Sequence, residues 1–159
     1  MKTLNYNSLN MEQIREANLP DQDAKTFIHQ IQKELSLRSS RDAVRLVASV
    51  LQAMRQTLSL DKANQILNAL PDFLKLAFAS NWEHDEKTVP VEHLDEFVTL
   101  VMDRDARHNR GLFRDEVQTL SVIILTLKKL QRLVDLENFD GLSPALRQEL
   151  RGLPSEAAA

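Results

Sequence analysis

Val44, Val47, Leu51, Met54 and Leu58 stand three, four, three and four residues apart. At 3.6 residues per turn that spacing keeps returning to one side of a helix, whereas the alternating side chains of a strand would scatter it over both faces. Ser39-Ser40-Arg41-Asp42, just upstream, places an acid three residues after a serine. This is the pattern of a capping box, in which side chains satisfy the free N–H groups of a helix start. A long amphipathic helix therefore follows Ser39.

The same period recurs along most of the chain. Phe27, Ile28, Ile31 and Leu35 predict a first helix from about Asp23, with Asp21 or Asp23 as its N-cap. After the long second helix, Ser59 caps a short third helix carrying Ala63, Ile66 and Leu67. Pro71 suits the first position of a fourth, which buries Phe73, Leu74 and Phe78. Asn81 stands where that helix stops, and asparagine tolerates the left-handed conformation of a helix C-cap, so Trp82 is expected to fold back over Leu76 or Ala77. Pro90 is expected to open a fifth helix with Leu94, Phe97, Val98 and Val101 on its apolar side. Val117, Leu120, Ile123, Ile124, Leu127 and Leu130 belong to a sixth that is apolar around much of its circumference, as central or contact-forming helices are. Ser143 and Pro144 start the last one, carrying Leu146 and Leu150.

With 3 glycines and 5 prolines in 159 residues there are few breaks for the turns of a strand-rich fold. The expected fold is all-α, a helical bundle of about seven to eight helices. An internal echo suggests that it is built from two related helical units: Arg41-Asp42-Ala43-Val44 is followed by Leu70-Pro71-Asp72-Phe73-Leu74, and Arg114-Asp115-Glu116-Val117 by Leu142-Ser143-Pro144-Ala145-Leu146. On this reading one all-α domain spans 21–152, with unit one at about 23–82, a connecting helix at about 90–107 and unit two at about 112–151. Residues 1–20 form a flexible or docking arm before Pro20, and 153–159 a disordered tail. The pairs Arg41-Asp42 and Arg114-Asp115 are expected to have a structural role, as matching ion pairs between the units.

Composition removes several kinds of function. The absence of cysteine excludes disulfides and thiolate chemistry and suits a reducing compartment. No apolar run approaches the roughly 18 residues of a membrane helix, and the polar N-terminus lacks the apolar core of a signal peptide, so a cytoplasmic protein without membrane contact is expected. A net charge of −3 disfavours a nucleic-acid binder, whose affinity comes from basic charge displacing counterions.

The stretch from Asp42 to Trp82 carries a long amphipathic helix, then Leu58-Ser59-Leu60-Asp61-Lys62-Ala63, Leu70-Pro71-Asp72-Phe73-Leu74-Lys75 and Asn81-Trp82. It resembles the bacterial DUF2267 family of uncharacterised helical proteins, over roughly residues 23 to 151. Asn81 stands where a glycine is expected before the tryptophan, an exchange that keeps the left-handed cap. The resemblance implies the fold and no particular activity.

Three constellations bear on chemistry. Glu83-His84-Asp85-Glu86 and Glu92-His93-Leu94-Asp95-Glu96 gather imidazoles and carboxylates, and His93 and Glu96 lie one helical turn apart, so His84, His93 and Glu96 are candidate metal ligands. The competing reading is an acidic connector followed by acids that favour a helix N-terminus. Arg104, Arg107, Arg110 and Arg114 cluster with His108 around a helix break and are candidates for holding a small anion, while interleaved acids offer them internal partners. Trp82, Phe78 and Phe73 are available either to wall a pocket or to fill the core. Ser39, Ser40, Ser59 and Ser143 are accounted for by caps, Ser121 lies inside a helix, and there is neither a Gly-x-Ser-x-Gly elbow nor a glycine-rich phosphate loop.

The expected function is a non-enzymatic helical module acting through a protein partner or self-association, using the apolar helix at about 112–131 and no cofactor. The alternatives are a metal- or small-anion-binding protein using segment 83–96 or 104–114, and an enzyme with a dispersed site.

Overall fold

The computed structural model describes residues 22–83, 86–108, 111–132, 134–136, 139 and 141–152, with side chains from residue 25 onward. The arm at 1–20, the tail at 153–159, His84 and Arg110 lie outside the described residues. Among those residues there are seven α-helices and no strands: α1 (Gln22–Glu34), α2 (Ser40–Gln56), α3 (Leu60–Ala69), α4 (Asp72–Ala79), α5 (Leu94–His108), α6 (Glu116–Gln131) and α7 (Pro144–Arg151).

The fold is organised around α2, which packs against α1, α4, α5 and α6. Its expected stripe of Val44, Val47, Leu51 and Met54 is buried, together with Leu46, Val50, Ala53 and the polar Ser49, Gln52 and Arg55. A helix enclosed on nearly all sides is central, and here that helix is α2 more than α6. On α6, Val122, Ile123, Leu127 and Leu130 face the core, whereas Val117 is exposed. Phe27, Ile31, Phe73, Phe78, Phe97 and Phe113 fill the same continuous core, each large apolar side chain removed from water contributing about 1.5–3 kcal/mol.

Side-chain caps delimit the helices. Ser39, Ser59 and Ser143 accept from the backbone N–H groups of Asp42, Lys62 and Leu146, starting α2, α3 and α7. Pro144 takes the first turn of α7, but Pro71 is the N-cap of α4 and not its first residue. Pro90 lies outside α5, which begins at Leu94. Glu96 Oε1 accepts from the N–H of His93 at 3.0 Å and of Glu92 at 3.2 Å, so the carboxylate folds back and fixes the start four residues later than the proline suggested.

α6 likewise begins at Glu116 because Asp115 is its N-cap, accepting from Gln118 N–H at 2.8 Å, while Gln118 Oε1 accepts from Arg114 N–H at 2.7 Å. The two Arg-Asp pairs thus mark helix starts in different registers: Asp42 lies within the first turn of α2, and Asp115 precedes α6. Arg114 is 3.9 Å from Asp115, its own neighbour.

Among the described residues, two non-glycine residues are left-handed. Asn81, φ 60°, follows α4 as expected, whereas Ser36, φ 53°, was not anticipated. After α1 the N–H of Leu37 reaches Gln32 O and that of Ser36 reaches Lys33 O, the two bonds of a Schellman motif that closes the helix through Ser36.

Candidate functional site

The most strongly charged interior feature lies where α2, the end of α4 and α5 meet. The last carbonyls of a helix have no intrahelical partner, and burying them requires donors from elsewhere. At the end of α4, Gln52 donates to Ala77 O at 3.0 Å. Arg55 donates through Nη1 to Phe78 O at 2.7 Å and Ser80 O at 2.9 Å, and through Nη2 to Asn81 O at 3.3 Å. The rest of its fork meets Glu86, with Nε to Oε2 at 3.1 Å and Nη2 to Oε1 at 2.9 Å. All five donors of the guanidinium are engaged.

Arg104, from α5, donates to Gln52 Oε1 at 3.0 Å, Glu86 Oε1 at 3.2 Å and Asn81 O at 3.4 Å. Glu86 sits on the connector that returns along the end of α2, where Val89 N–H donates to Gln56 O at 2.8 Å. Burial lowers the pKa of Arg55, opposed by Glu86. Burial and the neighbouring Arg55 charge bring Arg104 down to about 10. The Trp82 indole lies under the Arg55 guanidinium at 5.3 Å and edge-on to Phe78 at 6.1 Å, where the sequence pointed to Leu76 or Ala77. With its carbonyls, carboxylate and aromatic face supplied from within the chain, this cluster is a buried helix cap.

The cluster separates the candidate anion residues. Arg104 is interior, Arg107 is an exposed partner of Asp103 at 3.0 Å, and Arg114 is exposed beside Asp115. Burial beside Arg104 lowers the pKa of His108. Of the three aromatics considered for a pocket, Phe73 and Phe78 are core residues, and Trp82 borders a cavity of about 100 Å³ shared with Arg55, Glu83 and Glu86.

His93 and Glu96 are placed by capping. His93 Nδ1 is 2.7 Å from Glu149 Oε1, and Glu149 Oε2 accepts from Leu94 N–H at 3.2 Å, so α7 supplies a second carboxylate to the start of α5. The contact raises the pKa of His93 and lowers that of Glu149. At the other end of α7, Ser143 Oγ donates to Glu92 O at 2.6 Å. Among the described residues no three histidine, aspartate or glutamate side chains gather as a metal ion requires.

These contacts shape an open groove of about 710 Å³, lined by Leu94, Asp95, Glu96, Val98 and Thr99 of α5, Glu116, Val117 and Leu120 of α6, and Glu149 of α7. Leu94 with Val98, and Val117 with Leu120, form two apolar ridges at helical spacing, edged by four carboxylates. Val117 is 75% exposed, one of two large apolar residues so exposed among the described residues, the other being Leu60. Sequence reasoning took the excess of apolar residues around α6, Val117 and Leu120 among them, as the mark of a central or contact-forming helix; the walls that α5 and α7 add to the groove were not anticipated.

The profile of DUF2267, described as an uncharacterised conserved protein, matches residues 24–153, and the chain belongs to this family. No curated protein matches it. None of the described helices is long and apolar enough to cross a membrane.

Proposed function

We propose that this chain is a non-enzymatic helical module of the cytosol that acts through protein contacts, and that the groove between the starts of α5 and α6 is its contact surface. The observation that carries this reading is Val117, a valine 75% exposed on the wall of a groove with two apolar ridges. Apolar residues clustered in a depression favour association because docking removes them from water. A metal-binding function has less support, since His93 and Glu96 make helix-capping contacts. An anion-binding function has less support because Arg104 is held by Gln52, Glu86 and Asn81.

The test is affinity capture from the source cell with wild-type and Val117→Ser baits side by side, after circular dichroism has established equal folding. Partners retained by wild type and lost from the variant support the reading. Identical sets on both baits, or no partner together with a strictly monomeric mass in light scattering, overturn it.

A further inference from the structure

We infer that the partner taken by the groove is a cationic amphipathic helix, an inference that rests on the contact reading above and specifies its chemistry. The floor and the rim make separate demands. Leu94 and Val98 lie four residues apart on α5, and Val117 and Leu120 three apart on α6, so each pair forms a short ridge along its helix. The furrow between two such ridges on adjoining helices accepts the apolar ridge of a third, the helix-in-groove mode of recognition. A hydrophilic polycation has nothing to place on this floor.

The rim decides the charge. Asp95, Glu96, Glu116 and Glu149 line the groove, and among the described residues no lysine or arginine does. Two helix starts, those of α5 and α6, oppose these acids with roughly half a positive charge each, which leaves a net charge of about −3. Protonation of His93, beside Glu149, still leaves about −2. Glu96 and Glu149 are engaged by the N–H groups of His93 and Leu94, and Asp95 Oδ1 accepts from Glu96 N–H at 2.9 Å; Glu116 and Asp95 stand exposed on opposite walls. A helix with leucine-like residues on one face and flanking lysines or arginines answers both demands. An acidic or neutral one leaves the carboxylates unmatched.

The probe is a synthetic leucine–lysine helix peptide of about 14 residues, long enough to become helical on contact, with a neutral analogue carrying glutamine for lysine. Binding is followed by amide NMR shifts on the 159-residue chain. The expected result is peptide-dependent shifts at residues 94–99 and 116–120, affinity falling as salt is added, and roughly five- to tenfold weaker binding to Asp95→Asn/Glu116→Gln or by the neutral analogue. These substitutions are isosteric and exposed, and an unchanged thermal midpoint establishes that the variant folds.

Equal affinity of the neutral analogue at the same residues overturns the cationic partner while leaving the groove as a contact surface. Absence of shifts at 94–99 and 116–120 with either peptide overturns the groove reading itself. Shifts there on concentrating the protein alone identify a second copy as the occupant and overturn the partner class.

Discussion

Arg55 and Glu86, 31 residues apart in the chain, meet in a two-point pair, Nε to Oε2 at 3.1 Å and Nη2 to Oε1 at 2.9 Å. The guanidinium that makes this pair also holds the carbonyls of Phe78, Ser80 and Asn81. One side chain therefore couples the central helix, the end of α4 and the connector leading to α5. Replacing it removes donors from several buried acceptors at once and leaves Glu86 facing Arg104 alone. Arg55→Ala is expected to cost about 3–5 kcal/mol in urea unfolding, the cost of breaking a buried ion pair. Arg55→Lys is expected to recover only part of this, because an ammonium cannot reproduce the planar fork. A loss below about 1 kcal/mol for Arg55→Ala would show that the carbonyls and Glu86 find other partners.

Asp105 tests a buried carboxyl in the opposite sense. Burial raises its pKa against the Phe113 and Leu112 N–H groups; Oδ2 accepts from Phe113 N–H at 2.8 Å, and Oδ1 has no partner within hydrogen-bond geometry among the described residues. Asp105→Asn keeps an acceptor for Phe113 and removes the charge, so stability near neutral pH is expected to change by less than about 1 kcal/mol. Asp105→Ala strands the Phe113 N–H and is expected to cost about 1–3 kcal/mol. Equal losses in the two variants would contradict this account.

The His93–Glu149 clasp predicts a pH window. The hydrogen bond to Glu149 raises His93 above its ordinary 6.5, so its contribution is complete below 6.5 and is lost as pH rises through the folded value. The same bond holds Glu149 below 4.5, so that contribution is present above 4.5 and is lost as pH falls through the folded value. Both ends are charged in the window between 4.5 and 6.5. The His93 ring should titrate above 6.5 by NMR and move down in Glu149→Gln. A midpoint indifferent to that substitution would disprove the coupling.

Ser36 closes the Schellman motif after α1 at φ 53°, a region where a Cβ is strained. Ser36→Gly is expected to stabilise the fold by about 0.5–1 kcal/mol, the relief of strain exceeding the greater freedom of glycine in the unfolded chain. Calorimetry should register a midpoint higher by roughly 1–4 °C. A lower midpoint would mean that the serine hydroxyl makes a contribution the backbone geometry does not reveal.

Helix identity was legible because it is local. Val44, Val47, Leu51 and Met54 declare a helix by spacing, and Ser39, Ser59 and Ser143 declare starts because a cap needs only residues a few positions away. Asn81 was legible as a left-handed stop for the same reason. Pro90 misled because a proline permits a helix start without requiring one; the backbone bonds of Glu96 and the reach of Glu149 from α7 placed it at Leu94.

Tertiary structure decided what the polar residues do. Gln52, Arg55 and Glu86 carry no local pattern that marks them, and their role follows from the end of α4 being buried beside α2, where its carbonyls need donors. Arg104 was visible in the sequence as one of a run of arginines, and only packing distinguishes it, buried, from Arg107 and Arg114 in solvent. The groove has the same origin. Val117 and Leu120 belong to the apolar pattern of α6, but whether an apolar residue is covered depends on what the other helices place over it, and α5 and α7 stop short of covering Val117. Sequence determines which segments are helical and which faces are apolar because those depend on neighbours along the chain. Packing of distant segments determines which charges are sequestered and which apolar face remains open.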